Sequence, residues 1–135
     1  MPAKGYLRHP IIVPSAAART VVVSESGSVF IVTSETVTQV FTLPRAGRTP
    51  NGTFYTFIYG ASTAGTGELD ISPESSADDM LIKTRENAGT SINPAAGTGI
   101  KNTALTHVIG DHITLVSDGV SRWYMIGESG LWASQ

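Results

Sequence analysis

The sequence predicts an all-β domain, and three observations carry that prediction. The C-terminal stretch alternates apolar and polar residues with period two on both sides of an Asp118-Gly119 pair. Such a pair tolerates the positive φ angles of a two-residue type I′ turn, so the stretch predicts a hairpin with one buried face. Thr, Ser, Gly and Val are abundant, which favours strands over helices. Charged residues make up only 15% of the chain, below the roughly 25% of typical soluble domains.

The length predicts one core with short appendages. At 135 residues and 41% hydrophobic content, the chain can bury about two-thirds of its unfolded surface in one core. We expect an extended N-terminal arm at residues 1–19, because Pro2, Pro10 and Pro14 disfavour helix. This arm either packs as a strand on its own core or reaches a neighbouring subunit. Residues 20–135 then form a β-sandwich domain.

Strand-like segments follow the arm in close succession. Period-two alternation or a dense aromatic run predicts strands at residues 20–25, 28–33, 36–43, 53–59, 68–71 and 80–83. The aromatic run has bulky residues on both faces, which is typical of a central strand between two layers. Residues 84–104 are rich in small polar residues and poor in core anchors, so we expect a long loop there. Loops of this length in compact domains are usually functional or mobile.

The composition argues against several classes of site and partner. There are no cysteines, so the sequence offers no disulfide, thiolate nucleophile or Cys-based zinc site. The net charge of −2 provides no general attraction to nucleic acid or anionic lipid. No apolar run could span a bilayer and no segment reads as a secretory signal, so we expect synthesis in a cytoplasm without membrane association.

Motifs for catalysis or metal binding are weak. No Gly-x-Ser-x-Gly elbow and no spacing of Ser, His and Asp marks a nucleophile. His107 and His112 lack further ligands in a defined pattern, and we interpret them as structural. Glu74, Asp78 and Asp79 lack the alternating spacing of a calcium loop, so we interpret them as part of a solvated loop. We therefore expect no catalytic residue, no metal and no cofactor.

Aromatic side chains fall at strand positions, where exposed rings could stack on bases or sugars. A small sandwich needs large side chains between its layers, so core packing is the favoured interpretation. The residues concerned are Tyr55, Phe57, Tyr59, Trp123 and Tyr124.

A set of short motifs spans residues 36–132. The motifs are Phe41-Thr-Leu-Pro44, Phe54-Tyr55-Thr56-Phe57, Ile71-Ser-Pro73, Gly110-Asp111, Leu115-Val-Ser-Asp-Gly119, Trp123-Tyr124 and Gly130-Leu-Trp132. Together they resemble small β-rich virion proteins of tailed bacteriophages. Within that group, the length, the missing cysteines and the proline-bearing arm are most similar to capsid cement, or decoration, proteins. The resemblance implies a single jelly-roll-like β-sandwich with a non-enzymatic structural role.

The same resemblance implies a location and partners. The protein is expected on the outer capsid surface of the virion, bound to the major capsid protein as a homo-oligomer that bridges capsid subunits. A homodimer is favoured over a trimer, and no direct contact with nucleic acid is expected. The arm and the basic loop before the aromatic strand would then order across adjacent subunits and stabilise the phage head. The predicted capsid or subunit contacts are Tyr6, Arg8, Ile11, Ile12, Val13, Arg45 and Arg48.

Two other functions remain open from the sequence. A tail-fibre or receptor-binding β-domain would recognise a host-surface glycan through exposed aromatics and loop carboxylates. A small hydrolase would require a nucleophile and a base close together, and no motif of the sequence indicates such a pair.

Overall fold

Strands make up most of the regular structure in the computed structural model, which describes residues 9–81, 92 and 94–135. Two 3-10 turns, at Val23–Glu25 and Ala46–Arg48, are the helical segments of this part of the chain. Among the residues described, no helix has the length and apolar character that crossing a membrane requires. The strands are β1 (Ile11–Ile12), β2 (Ala18–Thr20), β3 (Val29–Val32), β4 (Gln39–Leu43), β5 (Phe54–Tyr59), β6 (Leu69–Pro73), β7 (Asp79–Leu81), β8 (Ile100–Asn102), β9 (His112–Ser117), β10 (Arg122–Ser129) and β11 (Trp132–Ser134).

These strands form two sheets that enclose the core. The larger sheet has six strands in the order β1-β3-β5-β9-β10-β7, and the smaller has five in the order β11-β8-β6-β4-β2. Burial alternates along the strands, so that one face of each sheet points inward. The prediction of an all-β sandwich is therefore confirmed.

The first seven strands alternate between the two sheets, each one lying in the sheet opposite to its predecessor. Because every connection crosses the sandwich, a strand that returns to a sheet runs in the same direction as the last strand placed there. Strands β1, β3 and β5 are consequently parallel, and so are β2, β4 and β6. This half of the molecule is a flattened coil with two strands per turn.

The connections differ from those of a jelly roll, which joins antiparallel strands in Greek keys. Five of the nine strand pairings among the described residues are parallel. The antiparallel pairings all involve β8 or β9. These two strands pair with β6 and β5, the last strands of the parallel runs β2-β4-β6 and β1-β3-β5. The two-layer architecture was predictable from alternation, whereas the direction of the strands depends on connections that cross between layers.

Aromatic side chains fill the space between the sheets. Tyr55, Phe57, Tyr59 and Trp123 are all buried, as the sequence predicted, and Tyr124 alone of the five points outward. Phe57 packs near Phe30 and Phe41 with ring centroids 5.3 and 5.0 Å apart. Aromatic pairs at such distances add about 0.5–1.5 kcal/mol each beyond their buried area.

The predicted hairpin exists as β9 and β10, with a longer connection than expected. Gly119 has a positive φ of 74°, but Asp118 does not, so the type I′ turn is wrong. The connection covers residues 118–121. The Asp118 carboxylate accepts the backbone N–H groups of residues 120, 121 and 122 at 2.8–2.9 Å, and this local capture favours the longer loop.

Two other segments differ from prediction. In the first, a side chain hydrogen bonds to the backbone and ends the strand, and in the second, isolated apolar residues anchor the segment to the core. Residues 20–25 are not one strand, since the Glu25 carboxylate accepts the Val22 N–H at 3.0 Å and folds the chain into a 3-10 turn. The predicted loop at 84–104 contains β8 in its described part. Ile92 and Ile100 are buried there, and they anchor the segment to the core. Residues 82–91 and 93 lie outside the described residues.

Candidate interaction surfaces

The described part of the arm runs along the edge of the larger sheet. The Val29 N–H donates to the Pro10 carbonyl at 2.8 Å, which starts the parallel pairing of β1 with β3. Ile12 packs against the core. Ile11 and Val13 point outward and are 67% and 56% exposed. Ile11 and Val13 are thus available for contact with a partner, whereas Ile12 stabilises the fold itself.

The five predicted contact residues that the structure describes do not form one cluster. Tyr6 and Arg8 lie outside the described residues. Among the described residues, no hydrogen bond or ion pair joins the arm to Arg45 or Arg48. The prediction therefore corresponds to two separate surfaces, one on a sheet edge and one on a loop.

The two arginines are exposed at the end of the sandwich where β4 leads into β5, which we call the basic end. The Arg45 N–H donates to a Glu74 carboxylate oxygen at 3.0 Å, and the Ala46 N–H donates to Asp78 at 2.8 Å. Asp78 is only 1% exposed. The interpretation of Asp78 as part of a solvated loop is therefore wrong, because its carboxylate is a buried anchor that fixes the arginine loop.

The opposite end carries the loop at residues 103–111, which we call the apical loop. His107 is buried, its Nε2 accepts the Gly65 N–H at 3.2 Å, and its ring centroid lies 3.9 Å from that of Tyr59. The Asp111 carboxylate accepts the Asn102 side chain at 3.2 Å and a backbone N–H of the loop at 2.9 Å. His107 thus has the structural role that the sequence indicated, and these contacts fix the loop.

Three large apolar side chains of the apical loop face solvent. They are Leu105, Val108 and Ile109, and Leu105 has a positive φ of 62°. A positive φ is strained for a residue with a branched side chain, and such strain clusters at functional sites. This exposed group was not among the sites predicted from the sequence. The available signal was three apolar residues at the i, i+3 and i+4 spacing of a helix face, in a segment too short and too close to Gly110 to form a helix.

The outer faces of the two sheets differ in chemistry. The smaller sheet presents Lys101, which forms an ion pair with Glu68 at 3.3 Å, beside Asp70 and Ser72. This polar composition is what a solvent-facing sheet normally has. The larger sheet presents mostly apolar side chains, and we call this surface the apolar outer face. Its strand residues include Val29, Ile31, Phe54, Ile58, Val116 and Tyr124.

The sequence contained a signal for that face. The run from Phe54 to Tyr59 is bulky on both sides, and this was interpreted as a central strand between two layers. In the structure β5 is indeed an inner strand of its sheet, but only its Tyr55, Phe57 and Tyr59 side faces the second sheet. The other side has no layer above it among the described residues.

Asp70 lies in the middle of the polar outer face. Burial of its carboxyl, together with the nearby Glu68 charge, raises the pKa of Asp70 to about 6, although Lys101 lowers it in part. One carboxylate oxygen of Asp70 is buried without a hydrogen-bond partner. Both observations show that the charged form of Asp70 is unfavourably placed in this fold.

The part of the chain that the structure describes contains no enclosed cavity. Nor does it bring together three or more His, Asp or Glu side chains that could hold a metal ion. No protein-family model matches the chain, and no curated protein matches its sequence.

Proposed function

We propose that this protein is a non-enzymatic virion protein that binds the outer surface of a phage capsid and stabilises the head by bridging capsid subunits. The proposal begins from the resemblance of the motifs in residues 36–132 to capsid cement proteins. The single observation that supports it most is a rigid two-sheet body whose exposed apolar and basic side chains stand on anchored loops. Unpaired apolar surface on a fixed backbone is typical of protein interaction sites.

The basic end is the proposed contact with the major capsid protein. Arg45 and Arg48 are exposed, and the buried Asp78 holds their loop in one conformation. A pre-organised loop loses little conformational entropy on binding. Guanidinium groups can bind carboxylates in a bidentate manner, so an acidic surface of the capsid lattice is the expected partner. Many such weak contacts, repeated over a shell, act together.

Co-sedimentation with undecorated mature capsids of the encoding phage tests the proposal. We expect saturable binding by the full chain. Arg45→Gln with Arg48→Gln should weaken it about tenfold at low salt, because two charge-assisted contacts are lost. Lys101→Gln is the matched control, since it removes a positive charge from the polar outer face instead. The control should bind as the unmodified protein does.

Absence of binding to both expanded and unexpanded shells would contradict the capsid proposal. Binding of the isolated protein to host-surface glycans would then favour the receptor-binding alternative. The burial of Tyr55, Phe57, Tyr59 and Trp123 removes four of the five aromatic rings considered for that role.

A further inference from the structure

We propose that the apolar outer face is covered by a second copy of this chain, packed face to face about a two-fold axis parallel to the strands. The inference specifies the homo-oligomer within the proposed function, but it does not depend on capsid binding. It rests on the composition of the face, on its size and on the complementarity of its two edges.

The polar groups within the face can be buried at little cost. The Thr56 and Thr114 hydroxyls hydrogen bond to each other at 2.9 Å across β5 and β9. His112 Nδ1 lies 3.0 Å from the Gly110 carbonyl oxygen. No Asp, Glu, Lys or Arg points outward from β3, β5 or β9. Covering the centre of this face therefore leaves no unpaired charge in an apolar interface.

The size of the face suits a small specific dimer. The five strands from β1 to β10 at about 4.8 Å spacing, and six residues along β5 at about 3.3 Å, give roughly 500 Å² of flat area per copy. Two copies then bury about 1,000 Å², where specific protein interfaces begin. Flat sheet faces pack on one another at about 10 Å with their strands nearly aligned.

One row of residues across the sheet has complementary ends. In register order the row is Ile11, Val29, Thr56, Thr114 and Gly127. Ile11 at one end is 67% exposed and protrudes. Gly127 at the other end has no side chain, so the row carries a protrusion at one end and a gap at the other.

Nothing in the part of the chain that the structure describes requires glycine at position 127. Its φ is not positive, and a Cβ built there would meet no atom of the described residues within 4 Å. Glycine inside a strand weakens it and often marks the close approach of another backbone or group. Gly127 follows a β-bulge, but a bulge glycine is needed mainly for positive φ.

A two-fold axis parallel to the strands and passing over Thr56 joins these two ends. It exchanges the left and right edges of the row between copies, so that Ile11 of each copy fills the gap above Gly127 of the other. The same axis preserves strand direction, and both basic ends then point the same way. A dimer of this geometry presents two Arg45 and Arg48 loops to one capsid surface, which raises avidity.

Light scattering and sedimentation of the purified full chain, without capsids, test the inference. We expect a dimer at micromolar concentration. Gly127→Val fills the gap and Ile11→Asp places a charge in it, so each should raise the dimer dissociation constant at least about 30-fold. Val120→Asp is the matched control, because Val120 is 72% exposed on the turn between β9 and β10, outside this face. It should leave the dissociation constant within about threefold.

Cross-linking tests the axis, because the natural chain has no cysteine. An equimolar mixture of Ile11→Cys and Gly127→Cys should link through a short bis-maleimide, whereas Ile11→Cys alone should not. Linking of Ile11→Cys to itself would overturn the proposed axis. At protein concentrations below the dimer dissociation constant, where both proteins are monomeric, the melting temperature of Gly127→Val should equal or exceed that of the unmodified protein, which separates assembly from folding.

A protein that stays monomeric throughout the micromolar range overturns the inference. If Gly127→Val then weakened capsid binding, the capsid would be the occupant of the face. If neither assay responded to Gly127→Val, the chain's own first eight residues would become the candidate occupant. A dimer that is sensitive to both substitutions but binds no capsid would support this inference and contradict the proposed function.

Discussion

At the scale of single residues, buried carboxylates differ in whether they stabilise the fold or oppose it. Asp78 and Asp111 are buried acids whose oxygens accept backbone N–H groups. Asp70 instead has a buried oxygen without a partner. A carboxylate satisfied by donors fixes a loop, while one without them raises the cost of folding in its charged form.

Asp70 should make the protein less stable as the pH rises from about 4 to about 6. The folded state keeps the Asp70 proton up to its raised pKa of about 6, whereas the unfolded chain loses it near the ordinary Asp value. The stabilisation is complete below this window and is lost through it. Asp70→Asn should therefore raise the free energy of unfolding at pH 7.5 by about 1 kcal/mol, discounted for partial exposure.

Urea unfolding of both proteins at pH 7.5 and 4.5 measures this effect. The difference between them should shrink at the lower pH, where Asp70 is protonated in the folded state. Asp79→Asn removes the same charge from an exposed edge strand and serves as the control. If Asp70→Asn raised the free energy of unfolding equally at both pH values, the raised pKa of Asp70 would be contradicted.

His107 should contribute more to stability than His112. His107→Ala opens a cavity beside Tyr59 and leaves the Gly65 N–H without its acceptor. We expect a loss of about 2–4 kcal/mol in the free energy of unfolding by urea titration. His112→Ala, on the outer face, should cost less than about 1 kcal/mol. Equal losses would mean that the ring of His107 does not anchor the apical loop.

At the scale of elements, local hydrogen bonds decide where strands end. The connection between β9 and β10 shows this most clearly, because the Asp118 carboxylate accepts three backbone N–H groups. Slight burial raises the pKa of Asp118, but these donors and Arg122 outweigh it and hold the pKa below its usual value. The resulting stabilisation is present at neutral pH and is lost as the pH falls below about 4.

Asp118→Ala should lower the free energy of unfolding by about 1–2 kcal/mol at pH 7, since three donors lose their acceptor. Thermal unfolding at pH 7 and pH 3 provides the measurement. The substitution should matter less at pH 3, and Asp118→Asn should recover part of the loss. If Asp118→Ala left the free energy of unfolding at pH 7 unchanged, the turn would be held by the pairing of β9 with β10 alone.

The sequence predicts the inner strands well because period-two burial is a local signal. Strands β3, β5 and β6 lie within one or two residues of their predicted bounds. Prediction fails where one side chain captures the backbone, as with Glu25, or where a short strand such as β8 is held by isolated isoleucines. The edge complementarity at Gly127 depends on register between distant strands, and no local pattern encodes it.

At the scale of the whole molecule, the coil ties the two sheets together. Consecutive strands from β1 to β7 change sheet at every connection, so one sheet cannot unfold while the other keeps its strands. Most pairings join residues distant in sequence, and proteins of this kind fold in milliseconds to seconds.

The two tryptophans can test this coupling, because each sheet contains one of them. Trp123 lies in β10 of the larger sheet and Trp132 in β11 of the smaller, and both are buried. In Trp123→Phe and in Trp132→Phe, the fluorescence of the remaining tryptophan should show the same urea midpoint as far-ultraviolet circular dichroism. Separate midpoints in either variant would show that the sheets unfold independently.

The short outer strands limit how this protein can polymerise. The edge strands of the two sheets are β1, β7, β11 and β2. In the described residues, β1 has two residues and the other three edge strands have three each. An edge strand this short offers few free N–H and C=O groups to an incoming strand. Short edge strands are one way in which natural sheets avoid edge-to-edge aggregation. Concentrated solutions should therefore not form fibrils by the addition of strands at these edges.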